Sequence, residues 1–512
     1  MTQTVAFGNP NDPHLVASGA GFVYSMPATN GLMKKDIYDS TNPIVGDLAQ
    51  SWSVTSDGLT YTFKLHQGVK FHNVPPVNGR ELTAEDVKYS LMRITAADPS
   101  MVVDRWKPRF QRRLDFGSID SIETPDKYTL IVTLKEPYAP FMDAMAHPGT
   151  QILPREFVEK FPEKVVTEGM IGTGPYLPVE YRNQQLSSYK SNPDYWRRDT
   201  EGNPLPYLDE LALLFFSDKQ SEIAAFRARQ LEVTQSVRKS LIESVKRDEP
   251  NVRLVTSTLA NLEMLRFNMS FPPFQDVRVR SAISLAVDRH QFVDLIAEGQ
   301  GAVSGPLTPV FPEMANTTEW LLSQPGYRKD KAQDIEQAKR LMEEARYPDG
   351  FTMSIMSTSI LSGAQDTLTL LGEQLKPLKI TTKGEAVDYV GQWVPRSLQG
   401  EFELSHMSYS TSTDPDSLLS PHMMSNAPRN YGKYSDPILD DLIKKERTAI
   451  SLKEREKLVR EAETRILDQA PIVVLYNPTI TYLAQPWTRN ISKGVIGGSE
   501  LYSVEYAWID EH

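Results

Sequence analysis

Short runs in which apolar and polar residues alternate predict β-strands along most of the chain. The clearest pair of runs spans residues 48–65, where Asp57-Gly58 stands between two alternating segments, as in a tight hairpin. We expect these two segments to pair as antiparallel strands. Alternation or a short apolar run predicts further strands at residues 4–7, 121–124, 128–134, 208–216, 252–256, 264–268, 352–357, 403–408, 472–475 and 481–483.

Apolar residues spaced three or four positions apart predict helices between many of these strands. One run of this kind predicts a continuous helix over residues 274–298. Thr83, with Asp86 three positions later, has the form of a capping box and predicts a helix over residues 84–94. The remaining helices are predicted at residues 219–229, 334–346, 368–375, 390–398, 437–447 and 453–468.

The predicted strands and helices alternate over two long stretches, which indicates an α/β fold with separate lobes. The chain has 512 residues, and with about 150 residues in a typical domain it has room for two or three units. The sequence contains no internal repeat and no low-complexity linker. We therefore expect lobes that are connected by more than one crossing of the chain.

Composition narrows the class of protein. Hydrophobic residues make up 40% of the chain and charged residues 24%, a globular balance that excludes a disordered chain. There are 55 Lys and Arg against 66 Asp and Glu, so the net charge is −11. We expect no nucleic acid partner, because phosphates require clustered basic residues. The absence of cysteine excludes disulfides, thiol nucleophiles and Cys-ligated metal sites.

The sequence contains none of the common catalytic, phosphate-binding or metal-binding motifs. There is no nucleophile elbow, no phosphate-binding loop, no His-Glu-x-x-His and no EF-hand loop. The eight histidines are scattered without ligand spacing, and we interpret them as packing or surface residues. We therefore expect no metal, no cofactor and no enzyme activity, while the many carboxylates leave a glycosidase pair open.

Two cellular locations are compatible with the sequence. It contains no apolar run of about 18 residues, the length expected of a membrane-spanning helix. Residues 1–7 also lack the basic and apolar regions of a secretory leader. The protein is therefore either cytoplasmic, or exported after removal of a leader.

A series of short segments follows one order along nearly the whole chain. They include residues 48–52 (LAQSW), 57–72 (DGLTYTFKLHQGVKFH), 82–91 (LTAEDVKYSL), 172–176 (GTGPY), 192–196 (NPDYW), 273–283 (PFQDVRVRSAI) and 414–416 (DPD). Together these segments resemble the extracytoplasmic solute-binding proteins of ABC importers, in the peptide, nickel and opine group called solute-binding protein family 5. Turn and helix-cap chemistry gives most of these residues a structural role as well.

The resemblance implies a two-lobed α/β periplasmic-binding-protein fold, of type II or Venus-flytrap form, with an additional inserted α+β domain. It assigns residues 1–44, 171–258 and 481–512 to lobe I, residues 45–170 to the extra domain packed on lobe I, and residues 259–480 to lobe II. It also implies that a small-molecule solute is captured between the lobes by hinge closure and delivered to the transmembrane subunits of an ABC permease. We expect a monomer, either periplasmic or anchored to the membrane outside the cytoplasm, with its leader removed.

Candidate ligand contacts follow from matching the family's segments to this chain. In lobe I they are Ser18, Gly19, Ala20 and Phe22, and in lobe II they are Ser357, Thr358, Tyr389, Trp393, Tyr409, Thr411 and Asp414. Trp393 either stacks on a ring of the solute or packs in the core, and the sequence leaves both roles open. Tyr409 lies at a predicted strand end, where α/β folds bind ligands. Asp414 and Asp416 either brace their loop or contact the ligand.

The anchors of a zwitterionic peptide are missing from this chain. Peptide binders of the family typically carry an Asp three residues before the Asp-Pro-Asp element, where this chain has Thr411. A hydroxyl cannot neutralise an ammonium group in a dry cleft. Dipeptide binders also tend to carry an Arg after the strand at 352–357, and residues 356–362 (MSTSILS) hold no basic residue. The sequence thus favours a neutral or uncommon solute over a zwitterionic dipeptide.

For a receptor of this family, the sequence is compatible with three classes of solute: an oligosaccharide, an opine-like or other polar organic compound, and a peptide held mainly through its backbone. Two other functions also stay open. One is a hydrolase that uses the same cleft, although no motif announces its nucleophile. The other is a ligand-loaded sensor subunit that docks on a membrane receptor instead of a permease.

Overall fold

The chain forms two compact units. The computed structural model describes residues 1–4, 12–15, 22–36, 43–96, 101, 110–161, 170–182, 185–308, 310–311, 313–361, 363–410, 414–491 and 504–510. The first unit comprises Met1–Ser257 and Ile480–His512, and the second comprises Thr258–Thr479. The chain leaves the first unit within one strand and returns to it within another, so two passages connect the units.

The strands and α-helices have the following bounds. The strands are β1 Thr2–Thr4, β2 Met33–Lys35, β3 Ile44–Gly46, β4 Ala49–Val54, β5 Thr60–Leu65, β6 Ile119–Asp126, β7 Thr129–Leu134, β8 Tyr176–Arg182, β9 Leu186–Ser191, β10 Glu210–Leu214, β11 Arg253–Thr258, β12 Asn261–Phe267, β13 Gly301–Ala302, β14 Thr352–Thr358, β15 Thr381–Val387, β16 Leu404–Ser410, β17 Ile472–Ala484, β18 Thr488–Arg489 and β19 Trp508–Ile509. The α-helices are α1 Ala84–Thr95, α2 Phe141–Met145, α3 Arg155–Lys160, α4 Lys219–Arg227, α5 Lys239–Asp248, α6 Pro272–Gln275, α7 Val277–Ala286, α8 Arg289–Gln291, α9 Thr318–Ser323, α10 Ala332–Glu344, α11 Ala364–Leu375, α12 Val394–Gln399, α13 Asp416–Leu418, α14 Pro437–Thr448 and α15 Leu452–Gln469. Within the described parts of the chain, no helix combines the length and the apolar character needed to cross a membrane.

The first unit contains two four-stranded sheets, ordered β1-β10-β9-β8 and β4-β5-β7-β6, and the two-stranded pairs β2-β3 and β18-β19. The predicted hairpin is confirmed, since β4 and β5 pair antiparallel with Val54 opposite Tyr61. Its turn places Gly58 at a φ of 70°, a left-handed conformation that glycine adopts without steric cost. Asp57 Oδ1 accepts a hydrogen bond from Leu59 N at 3.0 Å, which closes the turn.

The capping box at the start of α1 is also confirmed. Asp86 Oδ2 accepts hydrogen bonds from the backbone N of Thr83 at 2.9 Å and from its hydroxyl at 3.1 Å. These bonds satisfy polar groups that the helix terminus leaves open. Val87 and Leu91 of this helix are fully buried, in one core with Phe63 of the β4-β5-β7-β6 sheet.

The second unit is built on a mixed sheet ordered β17-β12-β16-β14-β15, with β13 paired to β17. β14 runs parallel to β15 and to β16, whereas β12 runs antiparallel to β16 and to β17. Both faces of the sheet are covered. Leu265 and Phe267 of β12 enter one hydrophobic core, and Leu262 and Met264 enter the other. β12 therefore places apolar side chains on both faces of the sheet.

The single helix predicted over residues 274–298 is wrong. The segment forms α6, α7, α8 and a π-helical turn over Phe292–Ile296. Asp276 and Asp288 have extended backbones, and each caps the helical element that follows it. The Asp276 side chain accepts a hydrogen bond from Arg278 N at 2.9 Å, and the Asp288 side chain accepts one from Gln291 N at 3.2 Å. Helix-capping aspartates therefore divide a segment whose apolar spacing is helical throughout.

Replacing Asp276 by alanine is expected to lower the free energy of unfolding by about 1 kcal/mol, because the first turn of α7 loses the acceptor for Arg278 N. The measurement is urea unfolding followed by circular dichroism. Asp276→Asn retains a capping oxygen and is the control, for which we expect a loss of less than half that of Asp276→Ala. Equal losses in the two variants would contradict a capping role.

Residues 472–475 and 481–483, predicted as two strands, belong to one thirteen-residue strand, β17. Asn477-Pro478 does not interrupt it. The Asn477 amide donates to the carbonyl of Leu259 at 2.8 Å, and the Pro478 carbonyl accepts from Leu259 N at 3.2 Å. At the other end of the chain β1 covers Thr2–Thr4, and residues 5–7 of the predicted first strand lie outside the described residues.

Candidate functional site

Three parallel strands of the second unit end at one edge of its sheet. β14 ends at Thr358, opposite Val387 at the end of β15, and β16 ends at Ser410. Because β14 is parallel to both neighbours, the three carboxyl ends face the same way. Open α/β sheets bind ligands at such an edge. The predicted contact residues of the second unit lie at these strand ends or follow them directly.

Tyr389 and Trp393 lie in a π-helical turn that follows β15. Asp388 fixes the start of this turn by accepting a hydrogen bond from Gly391 N at 2.6 Å. The rings of Tyr389 and Trp393 stack at 5.6 Å with an interplanar angle of 19°. Trp393 is only 3% exposed and packs in the core, whereas Tyr389 is 39% exposed. The predicted helix over residues 390–398 is thus shorter, since α12 begins at Val394.

Tyr409 lies next to the last residue of β16 and is largely buried. Its ring meets the imidazole of His422 edge-on at 3.9 Å. Burial, together with the charges of Arg266 and Arg429, lowers the pKa of His422 well below its ordinary value. The imidazole is therefore neutral at physiological pH.

Arg266 is a residue of this region that sequence reasoning missed. It is 2% exposed on β12, and its Nη1 donates to the carbonyl of Arg429. Its Nη2 lies 3.3 Å from Nδ1 of His422, and its guanidinium lies over the ring of Tyr431 at 5.6 Å. Burial lowers the pKa of Arg266 to about 10. A single cation inside the apolar run 262–267 (LEMLRF) was the available signal.

These contacts join into one group, because the ring of Trp393 also meets the ring of Tyr431 edge-on at 6.2 Å. We call this group the arginine–aromatic cluster; its members are Arg266, Tyr389, Trp393, Tyr409, His422 and Tyr431. It brings together three of the predicted contact residues, two from the turn after β15 and one from the end of β16. It also places a cation among them.

Ser357 and Thr358 are buried at the end of β14. Ser357 Oγ lies 2.8 Å from His406 Nδ1, and His406 Nε2 lies 3.1 Å from Glu263 Oε2. The hydroxyl, the imidazole and the carboxylate thus form one row of polar contacts across β14, β16 and β12. The row resembles a Ser-His-acid arrangement, but Ser357 is 0% exposed. It therefore braces three neighbouring strands from inside.

Asp414 is buried and fully engaged within the second unit. Its two carboxylate oxygens contact Arg455 of α15 at 2.8 and 2.7 Å, and Oδ1 also accepts from Asp416 N at 2.8 Å. Arg455 Nε reaches Glu446 at 2.9 Å, and Asp416 lies 3.4 Å from Arg447. These contacts brace the Asp-Pro-Asp element within the second unit.

In the first unit, Phe22 is buried and packs edge-on against His147 at 5.3 Å. Ser18, Gly19 and Ala20 lie outside the described residues, as does Thr411 of the second unit. Among the described residues, no group of three or more His, Asp or Glu side chains is arranged to hold a metal ion.

Comparison with known proteins identifies the family. Bacterial extracellular solute-binding proteins, family 5, match residues 43–430 of the chain. The chain belongs to this family. The two-lobed α/β fold expected from the sequence is confirmed, and so is the function of a solute-binding receptor of an ABC import system.

Relatives of this family-5 receptor match over most of their length. Di/tripeptide-binding protein 1 of Pseudomonas aeruginosa is 26% identical over 475 residues, with 90% of this chain and 86% of the relative covered. Heme-binding protein A of Haemophilus influenzae is 27% identical, with 89% and 83% covered. The structure of AgaA from A. tumefaciens R10 in complex with agropinic acid superposes with a TM-score of 0.81 at 25% identity, covering 100% of this chain and 99% of that one. These relatives are named as binding proteins.

Proposed function

We propose that this receptor captures a small polar organic solute at the carboxyl edge of β14, β15 and β16 and delivers it to the transmembrane subunits of an ABC permease. The supporting observation is the arginine–aromatic cluster, in which the exposed ring of Tyr389 stacks on Trp393 at this edge. Ligand sites of this kind combine aromatic surface with a few buried polar atoms that fix orientation.

The solute we propose is peptide-like or opine-like, with an oligosaccharide as the third class. Relatives named for di- and tripeptides and for agropinic acid support the first two classes. The contact residues we propose from the second unit are Tyr389, Tyr409 and Thr411, with Trp393 and Thr358 behind them. From the first unit we propose the segment of Ser18, Gly19, Ala20 and Phe22.

We propose that residues 1–44, 171–258 and 481–512 act as lobe I, residues 45–170 as an extra domain, and residues 259–480 as lobe II. The core shared by the β4-β5-β7-β6 sheet and α1 supports a separate domain. Solute binding would close the lobes, and moving such an equilibrium from 1:99 to 99:1 takes about 5.5 kcal/mol of differential affinity. We further propose that the protein is a monomer outside the cytoplasm, periplasmic or membrane-anchored.

Native mass spectrometry of the freshly purified full chain tests this function. We expect an adduct of a few hundred daltons that is released on denaturation and recovered chemically unchanged. Binding without turnover is expected because Ser357, the serine beside His406, has no exposed surface. Conversion of the recovered solute would support a hydrolase instead. Failure of every recovered or added peptide, opine and oligosaccharide to bind would overturn the proposal.

Trp393→Phe is expected to remove at least half of the fluorescence change that the recovered solute produces, because Trp393 stacks directly on the exposed Tyr389. The chain has seven tryptophans, so the control is Trp52→Phe, which changes a partly exposed tryptophan of the first unit. The Trp52 variant should retain the full change. An unchanged signal in Trp393→Phe would place the solute elsewhere.

A further inference from the structure

Arg266 is a buried cation on β12. It forms no ion pair with any carboxylate among the described residues, and its Nε has no hydrogen-bond partner there. Its polar neighbours are a backbone carbonyl, the imidazole of His422 and Tyr431. Burial and the charge of Arg429 lower the pKa of Arg266, whereas Tyr431 raises it. A buried charge is costly unless it is paired and hydrogen-bonded. Arg266 therefore lacks what usually stabilises such a group.

Other buried arginines of the second unit show the contrast. In Arg289, Nε donates to the carbonyl of Val474 at 2.8 Å, while Nη1 and Nη2 donate to further oxygens at 2.6 to 3.0 Å. In Arg280, all three nitrogens donate to the carbonyls of Phe274 and Gln469. Both of these arginines have an oxygen acceptor on every guanidinium nitrogen, and Arg266 does not.

Further unpartnered polar atoms belong to the same region. Nε2 of His422 and Nε1 of Trp393 have no hydrogen-bond partner among the described residues. Ser405 stands directly opposite Arg266 on the neighbouring strand, and its hydroxyl is also without a partner there. All three side chains are more than nine-tenths buried. Nε1 of Trp393 and Nε of Arg266 can only donate hydrogen bonds, and the Ser405 hydroxyl can donate as well, so an acceptor suits these three atoms.

The cluster is open to solvent on one side, since Tyr389 is 39% exposed and Arg429 and Tyr431 are partly exposed. We propose that the arginine–aromatic cluster binds an anionic group, a carboxylate or a phosphate, carried by the solute. A guanidinium holds such a group through paired, charge-assisted hydrogen bonds. This proposal rests on the proposed function and refines it. Arg266 of β12 would take the role of the arginine that dipeptide binders of the family carry after the strand matching β14.

The test uses small anions as probes of the full chain. Thermal unfolding and tryptophan fluorescence are followed during titration with sodium acetate and, separately, with sodium phosphate, at constant ionic strength. We expect one of the two anions to raise the unfolding midpoint of the wild type, and the responding anion identifies the group. In Arg266→Gln the apparent dissociation constant should rise about tenfold or more. Acetamide, the neutral analogue of acetate, should have no effect.

Two variants keep the test decisive. Arg266→Lys retains the positive charge but lacks the two-pronged guanidinium, so the anions should raise its unfolding midpoint less than that of the wild type. This comparison remains possible if Arg266→Gln does not fold. Arg289→Gln should lower the midpoint but retain the anion response, because Arg289 is saturated by the fold. Since phosphate stabilises many proteins by exclusion from their surface, the result is the difference between wild type and variant. Equal anion responses in the wild type and the Arg266 variants, or no response at all, overturn the proposal.

The outcomes for the anionic group and for the receptor function are separable. A recovered solute without an acidic group would overturn this inference and leave the receptor intact. Failure of every solute to bind would overturn the receptor, while the anion titration would still report on Arg266.

Discussion

Replacing Arg455 by methionine is expected to lower the free energy of unfolding of the second unit by about 3–5 kcal/mol. Arg455 is buried on α15 and contacts both oxygens of Asp414 as well as Glu446. Its removal leaves the buried carboxylate of Asp414 without its cation and Glu446 without its hydrogen-bond donor, and the cost of the unpaired charge exceeds that of the lost contacts. Urea unfolding followed by circular dichroism measures the change.

Arg465 provides the matched control, because it lies ten residues further along the same helix. Its Nε contacts Asp436 at 2.7 Å, but its side chain is 29% exposed. Asp436 is itself buried, but it keeps hydrogen bonds from the Tyr434 hydroxyl and from Ile438 N, so Arg465→Met should have a smaller effect than Arg455→Met. If the two variants lose similar stability, the Asp414 contact is not the buried brace inferred from its geometry.

The elements that the sequence predicted correctly depend on local chemistry. Asp57-Gly58 and the Thr83–Asp86 capping box act within a few residues, so their geometry is readable from the sequence. The predicted helix over residues 274–298 is wrong for a related reason. Asp276 and Asp288 are local helix starts, but the apolar spacing continues across them and conceals the breaks.

The site was predictable in part. Tyr389 and Trp393 follow a strand and Tyr409 lies at the end of one, and strand ends are recognisable from alternation. Arg266 was not found, because its neighbours His422 and Arg429 lie more than 150 residues away along the chain. The partner of Asp414 was equally hidden, since Arg455 is 41 residues distant on another helix. Side chains that come together only in the folded protein have no characteristic spacing in the sequence, so their contacts cannot be predicted from it.

Glu446→Gln is expected to make the protein less sensitive to alkaline pH. Burial, and then the charge of Asp416, raises the pKa of Glu446 from 4.5 to about 9. The folded state therefore keeps a proton that the unfolded chain releases above its ordinary pKa. Stability from this group is complete below pH 4.5 and is lost as pH rises towards 9. Glutamine stays neutral throughout, so this loss disappears.

The stability of Glu446→Gln relative to the wild type should therefore grow from pH 5 to pH 9, by on the order of a few kcal/mol, since each pKa unit corresponds to about 1.4 kcal/mol. Urea midpoints at pH 5, 7 and 9 measure the difference. Glu461→Gln on α15, whose side chain is 47% exposed, is the control and should follow the wild type at each pH. A constant difference across the three pH values would show that Glu446 is already ionised in the folded protein. Asp414 and Arg455 would then have to balance one more buried negative charge than the geometry suggests.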